Sequence, residues 1–371
     1  MKRILIVEGQ RNVAGGQRIT LKLCKALESS YDVSIFLPKG NNELSLYLNE
    51  YSQNKFTLFD FSFGKKKIVD YLKFLLNFIY IPIELFKTVR ENNIQLIYIQ
   101  SQKMIPYCVV VASILKIPVI AHLHVYHIDA KARKILNFFL KFKCIRKIVG
   151  VSNYALSQLS DGNKKKAKVI YNYVDFKANN HKKIDILHEY NLAVIADVIR
   201  QKGHNVLIEA LDKIKDLDLG AYIIGEEKDL EYSNELRNLL RNLELTNKVT
   251  FTGKVEGIGD ILNKMDLVIV PSIEGFETFS LSMVEAWLKG VPTIASDLGG
   301  MKELVDSFLN KYKDNLLFKT NDSEDLSKKI QNILKDEELY KELSSSIRET
   351  AYINFSRERF ELIINNLIKE V

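Results

Sequence analysis

This sequence has few cysteines and no recognisable signal-peptide pattern at its start. Its 371 residues contain three cysteines, Cys24, Cys108 and Cys144, and none has the spacing of a CxxC pair or of a Cys/His metal site. This argues against a disulfide framework and against a zinc site. The first residues, "MKRILIVEG", enter a strand pattern without an apolar leader or a small-residue cleavage site. We therefore expect a cytoplasmic protein.

Long apolar runs are also lacking. The most apolar stretch, "YLKFLLNFIYIPIELF" at residues 71–86, is interrupted by Lys73, Asn77, Pro82 and Glu84. It is shorter than the roughly 20 residues that a membrane-spanning helix needs. We interpret it as a helix that lies in the core or against a membrane without crossing it.

Nucleic-acid-binding motifs are absent although the chain is basic. The net charge of +7 divides into 27 Lys and Arg against 11 Asp and Glu in residues 1–170, and 26 against 35 in residues 171–371. The first part therefore carries +16 and the second −9. Such a basic part indicates an anionic partner. Since no helix-turn-helix, RRM, KH or zinc pattern occurs, a membrane surface is favoured over nucleic acid.

Two series of alternating strands and helices are present. The first contains "RILIVEG", "DVSIFLP", "IQLIYIQ" and "IPVIAHLHV", and the second contains "LAVIADV", "GAYIIGE", "DLVIVPS" and "VPTIASD". Short β-rich runs between amphipathic helices predict parallel sheets covered on both faces. We predict two doubly wound α/β domains, residues 1–170 and 192–351, with a polar linker at 171–191 and a C-terminal helix over 352–371. Ligands of such folds bind beyond the carboxyl ends of the strands.

Loops after strands supply the candidates of the first domain. Gly15 and Gly16 lie between the first strand and a helix, where their amides either face a phosphate or simply form a turn. His122 and His124 alternate onto one face at a strand end, and His127 follows. A metal site would need ligands that this neighbourhood lacks. Either all three histidines are hydrogen-bonded loop residues, or one of them reaches into the cleft where a ligand would bind.

Two cations mark the corresponding loop of the second domain. Arg200 and Lys202 precede a helix in "ADVIRQKGHNVLIEAL". Cations at a helix start oppose the helix dipole, so a bound anion would explain them. The "DLD" run at 216–218 has the spacing of a divalent-metal site, but it is expected at the opposite end of the sheet, which argues against metal binding.

Three glutamates occur in "PSIEGFETFSLSMVEAWLKGVPTIASDLGG", residues 271–300. Ser282 and Glu285 fit a capping box at a helix start, and this explains Glu285 as well as a ligand role does. Glu277 lies in a small-residue turn that capping does not explain. We interpret Glu274 as a bystander.

The same stretch resembles the signature of family 4 retaining glycosyltransferases with the GT-B fold, in which two glutamates separated by seven residues precede "EA…G.P.IAS..GG..E". The segments "AGGQRITLKLCKAL", "VIAHLHV", "KIVGVSNYA", "VIYNYVD", "KGHNVLIEAL" and "VTFTGKV" also occur in the family's order. The resemblance implies two Rossmann-like domains facing a central cleft, with the C-terminal helix packed back on the N-terminal domain. It also implies a metal-independent hexosyltransferase that needs no cofactor and takes a UDP- or GDP-linked sugar as donor.

The resemblance also implies a role for each matching residue. Glu285 would bind the ribose, Glu277 with the following amides would hold the hexose and the distal phosphate, and Lys202 would neutralise the diphosphate. His124 would lie beside the transferred sugar, and Arg200 would be a further catalytic cation. The donor-binding set would comprise Gly15, Gly16, Lys202, Gly253, Thr278, Phe279, Ser280, Leu281 and Glu285.

The chain departs from the family pattern in three places. Asp197 stands where the family commonly has an arginine five residues before the motif lysine, so the second cation must be Arg200 or come from elsewhere. "NYVD" replaces "NGVD", and "GEE" at 225–227 replaces a Gly-Asp-Gly-like turn. A non-catalytic GT-B subunit of a glycosyltransferase complex and a nucleotide-sugar epimerase remain alternatives.

A basic amphipathic segment suggests where the acceptor is found. Residues 130–147 hold seven Lys and Arg interleaved with apolar side chains, and "GKKK" at 64–67 and "NKKKAK" at 163–168 add the same charge. Such a helix is typical of membrane surfaces, although a solvated helix face is the alternative. We expect a peripheral protein on the inner face of a bacterial membrane. Its acceptor would be a glycan or lipid-linked glycan of a lipopolysaccharide or capsule pathway.

Overall fold

The computed structural model describes residues 1–10, 15–40, 42–59, 68–176, 188–255, 257–275 and 277–371. The chain divides into two units. Unit 1 comprises Met1–Asn172 with Phe360–Val371, and unit 2 comprises Tyr173–Arg359. Predicted features that fall wholly or partly outside the described residues are "GKKK" at 64–67, the loop before Gly15 and most of the linker at 171–191.

Unit 1 is built on a parallel sheet of seven described strands in the order β3-β2-β1-β4-β5-β6-β7. The strands are β1 Arg3–Val7, β2 Asp32–Pro38, β3 Ser52–Phe56, β4 Leu96–Ile99, β5 Val119–Leu123, β6 Ile145–Gly150 and β7 Ala167–Val169. The helices are α1 Gly15–Leu27, α2 Asn42–Tyr47, α3 Ile68–Glu91, α4 Ile105–Leu115, α5 Ala130–Leu140, α6 Asn153–Leu156 and α7 Asp161–Lys164, with a 3₁₀ turn at Gln102–Met104.

Unit 2 repeats this design with a parallel sheet of six described strands in the order β10-β9-β8-β11-β12-β13. The strands are β8 Tyr190–Ile195, β9 Leu219–Ile224, β10 Val249–Gly253, β11 Leu267–Val270, β12 Thr293–Ser296 and β13 Leu317–Phe318. The helices are α8 His204–Asp212, α9 Leu230–Asn242, α10 Ile258–Leu262, α11 Leu281–Lys289, α12 Gly299–Phe308, α13 Lys313–Leu316, α14 Ser323–Lys335 and α15 Glu337–Asn354. The last helix, α16 Arg357–Lys369, begins in unit 2 and continues into unit 1. Two 3₁₀ turns cover Arg200–Lys202 and Asn310–Tyr312.

The central strands are apolar along their whole length. All residues of β4, β5, β11 and β12 are buried, because helices cover both faces of a parallel sheet. In unit 2 the chain order reverses between β8 and β11, which are hydrogen-bonded neighbours. A crevice forms beyond the carboxyl ends of the strands at such a point. The two sheets confirm the predicted pair of doubly wound α/β units.

The end of the chain belongs to unit 1. Asn365 donates a hydrogen bond from Nδ2 to the carbonyl of Ala26 at 3.3 Å, and Lys147 pairs with Glu370 at 2.6 Å. The basic segment predicted as one helix over 130–147 is not one helix, because α5 ends at Leu140 and Ile145 begins β6. Among the described residues, no helix is long and apolar enough to cross a membrane.

Candidate functional site

The loops that follow β8 and β11 touch each other in unit 2. The amide of Ile273 donates to the carbonyl of Gln201 at 3.0 Å. Gly203 has φ of +64°, and a Cβ at this position would lie 2.0 Å from the carbonyl oxygen of Pro271. Only glycine permits both the left-handed backbone and this approach. The contact brings the Lys202 loop to the end of β11.

Lys202 and Glu277 form an ion pair at this junction. Lys202 Nζ lies 2.7 Å from Glu277 Oε2, and the two side chains are 21% and 10% exposed. Ser272 Oγ donates to the same carboxylate oxygen at 2.7 Å. A small recess lined by Ala196, Lys202, Ser272, Glu277 and Ser282 surrounds the pair. The structure therefore joins two of the predicted catalytic residues.

The electrostatics favour the ionised form of Glu277. Burial raises the pKa of its carboxyl, but the Lys202 charge and the hydrogen bonds from Lys202, Ser272 and Ser280 outweigh burial and hold the pKa below its ordinary value. At neutral pH the group is thus a carboxylate held by fixed donors. It can accept hydrogen bonds from a ligand, and Lys202 can neutralise one.

The backbone after Glu277 is fixed by the start of α12. The amide of Gly300 donates to the carbonyl of Glu277 at 2.8 Å. A Cβ on Gly300 would lie 2.0 Å from the carbonyl oxygen of Thr278. Glycine is needed at position 300 for close packing, and this explains the second of the paired glycines in the predicted motif.

Helices α8 and α11 begin beside the ion pair without a side-chain cap. Gly203 and Ser280 are their N-cap residues, and neither makes a side-chain cap hydrogen bond. Helices α9, α14 and α15 of the same unit are capped by aspartates. Helix starts present amides and partial positive charge to anions. This end of the sheet therefore suits a phosphate-bearing ligand.

The predicted capping box is wrong in its position. Helix α11 begins at Leu281 with Ser280 as N-cap, so Ser282 already lies in the first turn. Its Oγ lies 3.2 Å from Ser280 Oγ. The backbone is still extended at Ser280 and becomes helical at Leu281. The helix therefore begins two residues earlier than the "SMVE" pattern predicts.

Arg200 and Asp197 have partners of their own. Arg200 forms a bidentate ion pair with Glu235, both distances being 2.7 Å, and lies over the ring of Tyr232. The structure therefore places Arg200 with Glu235, whereas Lys202 is with Glu277. Asp197 Oδ2 lies 2.5 Å from Lys228 Nζ, and Asp197 also accepts from the amide of Glu226.

The other predicted residues of unit 2 lie at its strand ends and helix starts. Gly253 ends β10 with φ of +71°, and its carbonyl accepts from the amide of Gly225. Thr278 is buried, and the ring of Phe279 packs edge-on against Phe355. Leu281 and Glu285 lie in the first two turns of α11.

In unit 1, His124 and His122 form a pair of rings in contact, tilted by 35°. Their ring centroids lie 4.1 Å apart, so the alternation placed both on one face as predicted. His124 Nε2 lies 2.5 Å from Gln100 Oε1, and His122 Nδ1 lies 3.1 Å from the Tyr98 hydroxyl. Burial lowers the pKa of His124 to about 4, so its imidazole is neutral at physiological pH. Gly15 and Gly16 open α1.

Metal ligands do not cluster in the described part of the chain. No group of three or more His, Cys, Asp or Glu is arranged there to hold an ion. Asp218 directly precedes β9 and pairs with His188 at 2.6 Å. The "DLD" run thus lies at the end of the sheet opposite the Lys202–Glu277 pair.

The part of the chain that carries this site is similar to a known protein family. Residues 176–350 match the family Glycosyl transferases group 1. This matched segment contains β8 to β13 and every predicted site residue from Arg200 to Glu285.

Curated relatives cover a larger part of the chain. An uncharacterised glycosyltransferase of Methanocaldococcus jannaschii is 29% identical over 63% of this chain and 63% of its own length. The N,N'-diacetylbacillosaminyl-diphospho-undecaprenol alpha-1,3-N-acetylgalactosaminyltransferase of Campylobacter jejuni is 26% identical over 68% of this chain and 62% of its own length. The chain thus spans a little under two thirds of each relative.

A solved structure matches over the whole chain. HepE of Anabaena, in complex with UDP-glucose, superposes with a TM-score of 0.81 at 20% identity and covers 100% of both chains. At this identity the likeness concerns the fold. The predicted GT-B fold class is confirmed.

Sequence reasoning missed Ser272 and Gly203 as site residues. Ser272 is a polar residue directly after an apolar strand, which was the available signal. Gly203 precedes the start of α8, but its need for glycine depends on Pro271, which lies far away in sequence.

Proposed function

We propose that the protein is a retaining glycosyltransferase that moves a hexose from a nucleoside-diphosphate sugar to a hydroxyl group of a lipid-linked or surface-polysaccharide acceptor. The observation that carries the proposal is the Lys202–Glu277–Ser272 cluster beyond the ends of β8 and β11. The match of residues 176–350 to Glycosyl transferases group 1 supports it.

The donor's diphosphate would bind at Lys202 and at the starts of α8 and α11. When the bond between the anomeric carbon and the phosphate oxygen breaks, negative charge develops on the leaving diphosphate. A fixed cation and aligned amides stabilise this charge more than that of the intact donor, which lowers the barrier. These groups supply the positive charge, and we propose that no metal ion is required.

Glu277 would hold the hexose. Its ionised carboxylate accepts hydrogen bonds from sugar hydroxyls, and the amides of Thr278, Phe279 and Ser280 would contact the hexose and the distal phosphate. Glu285, in α11, would accept the ribose hydroxyls. The acceptor hydroxyl would attack the anomeric carbon on the face that the diphosphate leaves, with its proton passing to the leaving phosphate oxygen.

Similar proteins support the predicted donor and acceptor classes. HepE was solved with UDP-glucose, and the Campylobacter jejuni relative is named for a diphospho-undecaprenol substrate. We propose a UDP- or GDP-linked hexose as donor and a glycan or lipid-linked glycan as acceptor. The protein would work on the inner face of the membrane, with α5 in contact with anionic lipid.

Nucleotide release from purified protein tests the proposal. We expect one member of a panel of UDP- and GDP-sugars to raise the thermal midpoint and to be hydrolysed slowly to the nucleoside diphosphate. Glu277→Ala should reduce turnover by roughly a hundredfold or more. Glu274→Ala, at an exposed neighbouring position, is the matched control and should retain wild-type turnover. Absence of turnover with every donor, or near-normal turnover in Glu277→Ala, would refute the assignment.

A further inference from the structure

Helices α3, α4 and α5 of unit 1 lie side by side, with α4 between the other two. Their inner sides share one hydrophobic cluster, to which α3 contributes Ile81 and Leu85, α4 contributes Val109 and α5 contributes Leu136. The three helices therefore present one continuous outer surface.

Helix α3 is apolar on this outer side as well. Leu72, Leu75, Ile79 and Ile83 are 57%, 59%, 55% and 62% exposed. Their spacing of three and four residues aligns them in one stripe, opposite the buried Ile81 and Leu85. A helix of a soluble protein normally has a polar outer side, so a stripe of this kind marks an interaction surface.

Exposed apolar side chains also occur on the two neighbouring helices. On α4, Val110 is 40% exposed and Ile114 is 64% exposed. On α5, Ile135 and Phe138 are 58% and 59% exposed, and Phe138 packs edge-on against Phe142. Together these residues and the α3 stripe form what we call the three-helix surface.

Positive charge is concentrated in the chain segment that includes most of α4 and all of α5. Residues 110–147 contain eight Lys and Arg but one acidic residue, Asp129. The basic residues are Lys116, Lys131, Arg133, Lys134, Lys141, Lys143, Arg146 and Lys147. Exposed apolar side chains beside lysines are the pattern of elements that lie in the interface of an anionic bilayer.

We propose that the three-helix surface docks on anionic lipid, with the stripe of α3 inserted among the acyl chains and the lysines around α5 contacting the headgroups. This inference rests on the proposed function, which assigns the membrane contact to α5. It adds α3 and α4 to that contact. A second copy of the chain fits the surface less well. A two-fold interface would set the same lysines against each other, and lysine is depleted at protein interfaces.

Flotation with vesicles tests the role of α3. The variant Leu75→Gln/Ile79→Gln/Ile83→Gln removes three exposed side chains and leaves the core unchanged. Wild-type protein should float with vesicles of phosphatidylcholine and phosphatidylglycerol, and less with phosphatidylcholine alone. The variant should bind the mixed vesicles at least about tenfold more weakly, because less apolar area leaves water.

A matched control uses exposed leucines elsewhere. Leu46, Leu230 and Leu362 are 73%, 70% and 63% exposed, and they lie outside the three helices. Their triple change to Gln should leave vesicle binding unchanged. The inference is overturned if the α3 variant binds as wild type, or if the control loses as much binding.

Two further measurements separate the possible outcomes. If sedimentation shows a wild-type dimer that the α3 variant converts to monomer without a change in vesicle binding, the surface holds a second copy and the inference fails. Hydrolysis of the nucleotide sugar without lipid tests the proposed function alone. Weakened vesicle binding with wild-type hydrolysis supports the membrane surface, whereas vesicle binding without hydrolysis of any donor would overturn the transferase proposal only.

Discussion

Removal of Lys202 should destabilise unit 2 in a way that depends on pH. In Lys202→Met, Glu277 loses its counter-charge, and its side chain, which is 10% exposed and bonded to Ser272 in the wild type, should stay largely buried. Breaking a buried ion pair from one side costs about 3–5 kcal/mol, and since Lys202 is itself 21% exposed we expect about 3 kcal/mol at neutral pH. For a unit of this size this corresponds to a midpoint lowered by roughly 6–12 °C.

The pH dependence follows from the pKa of Glu277. In the wild type the folded-state pKa lies below its ordinary value of 4.5, so ionisation favours folding at neutral pH, and this contribution is lost as the pH falls through the folded pKa. In the variant the effect of burial dominates and the folded-state pKa lies above the unfolded value. The variant therefore loses stability as the pH rises through that pKa. The difference in the free energy of unfolding between the wild type and Lys202→Met should therefore become smaller as the pH falls toward 4.5.

Tryptophan fluorescence can follow this unfolding specifically. The chain has one tryptophan, Trp287, which is fully buried in α11 of unit 2. The double variant Lys202→Met/Glu277→Gln removes both charges and should lose less than about 1 kcal/mol. Lys228→Met, which breaks a partly exposed pair, is the control and should also cost less than about 1 kcal/mol. A single variant as stable as wild type, or a double variant as unstable as the single one, would refute the electrostatic account.

Two other substitutions probe the backbone and the charges of the site. Gly300→Ala places a Cβ 2.0 Å from the Thr278 carbonyl, so we expect unit 2 to lose about 1–3 kcal/mol in Trp287 fluorescence unfolding and donor turnover to fall at least tenfold. Gly162→Ala, with open space around its Cβ, should change neither, and equal effects of the two would contradict the packing argument. Asp197→Asn removes an acid that pairs with Lys228, and donor Kd measured by calorimetry should fall about two- to fivefold. A higher Kd would show that Asp197 supports the donor site.

Strand patterns predicted most of both sheets because their central strands are buried on both faces. The strand "DVSIFLP" has the bounds of β2, and the other quoted strand patterns overlap strands of the two sheets. Strand β3, "SQNKF", could not be found in this way, since its only buried residue is Phe56. It is a strand because its backbone pairs with β2 at the sheet edge. This pairing is set by the tertiary structure and leaves no periodic signal in the sequence.

The candidate site was predictable as a set of residues but not as an arrangement. Family resemblance placed Lys202 and Glu277 in one donor site, yet their ion pair depends on Gly203 touching Pro271. The position of Arg200 shows the same limit. A cation two residues from Lys202 was expected to serve the same anion, whereas local geometry pairs it with Glu235 on α9.

The pairing of Asp197 shows how an acid is accommodated at a site proposed to bind an anion. Ile195 and Ile224 are directly opposed in the β8–β9 ladder, so Asp197 lies next to the loop that carries Glu226 and Lys228. Lys202 pairs with Glu277, and Lys228 pairs with Asp197. A diphosphate that enters between the strand ends would bring new negative charge to both lysines. On the proposed function, Lys228 then supplies from β9 the second positive charge that an arginine at position 197 would have supplied from β8.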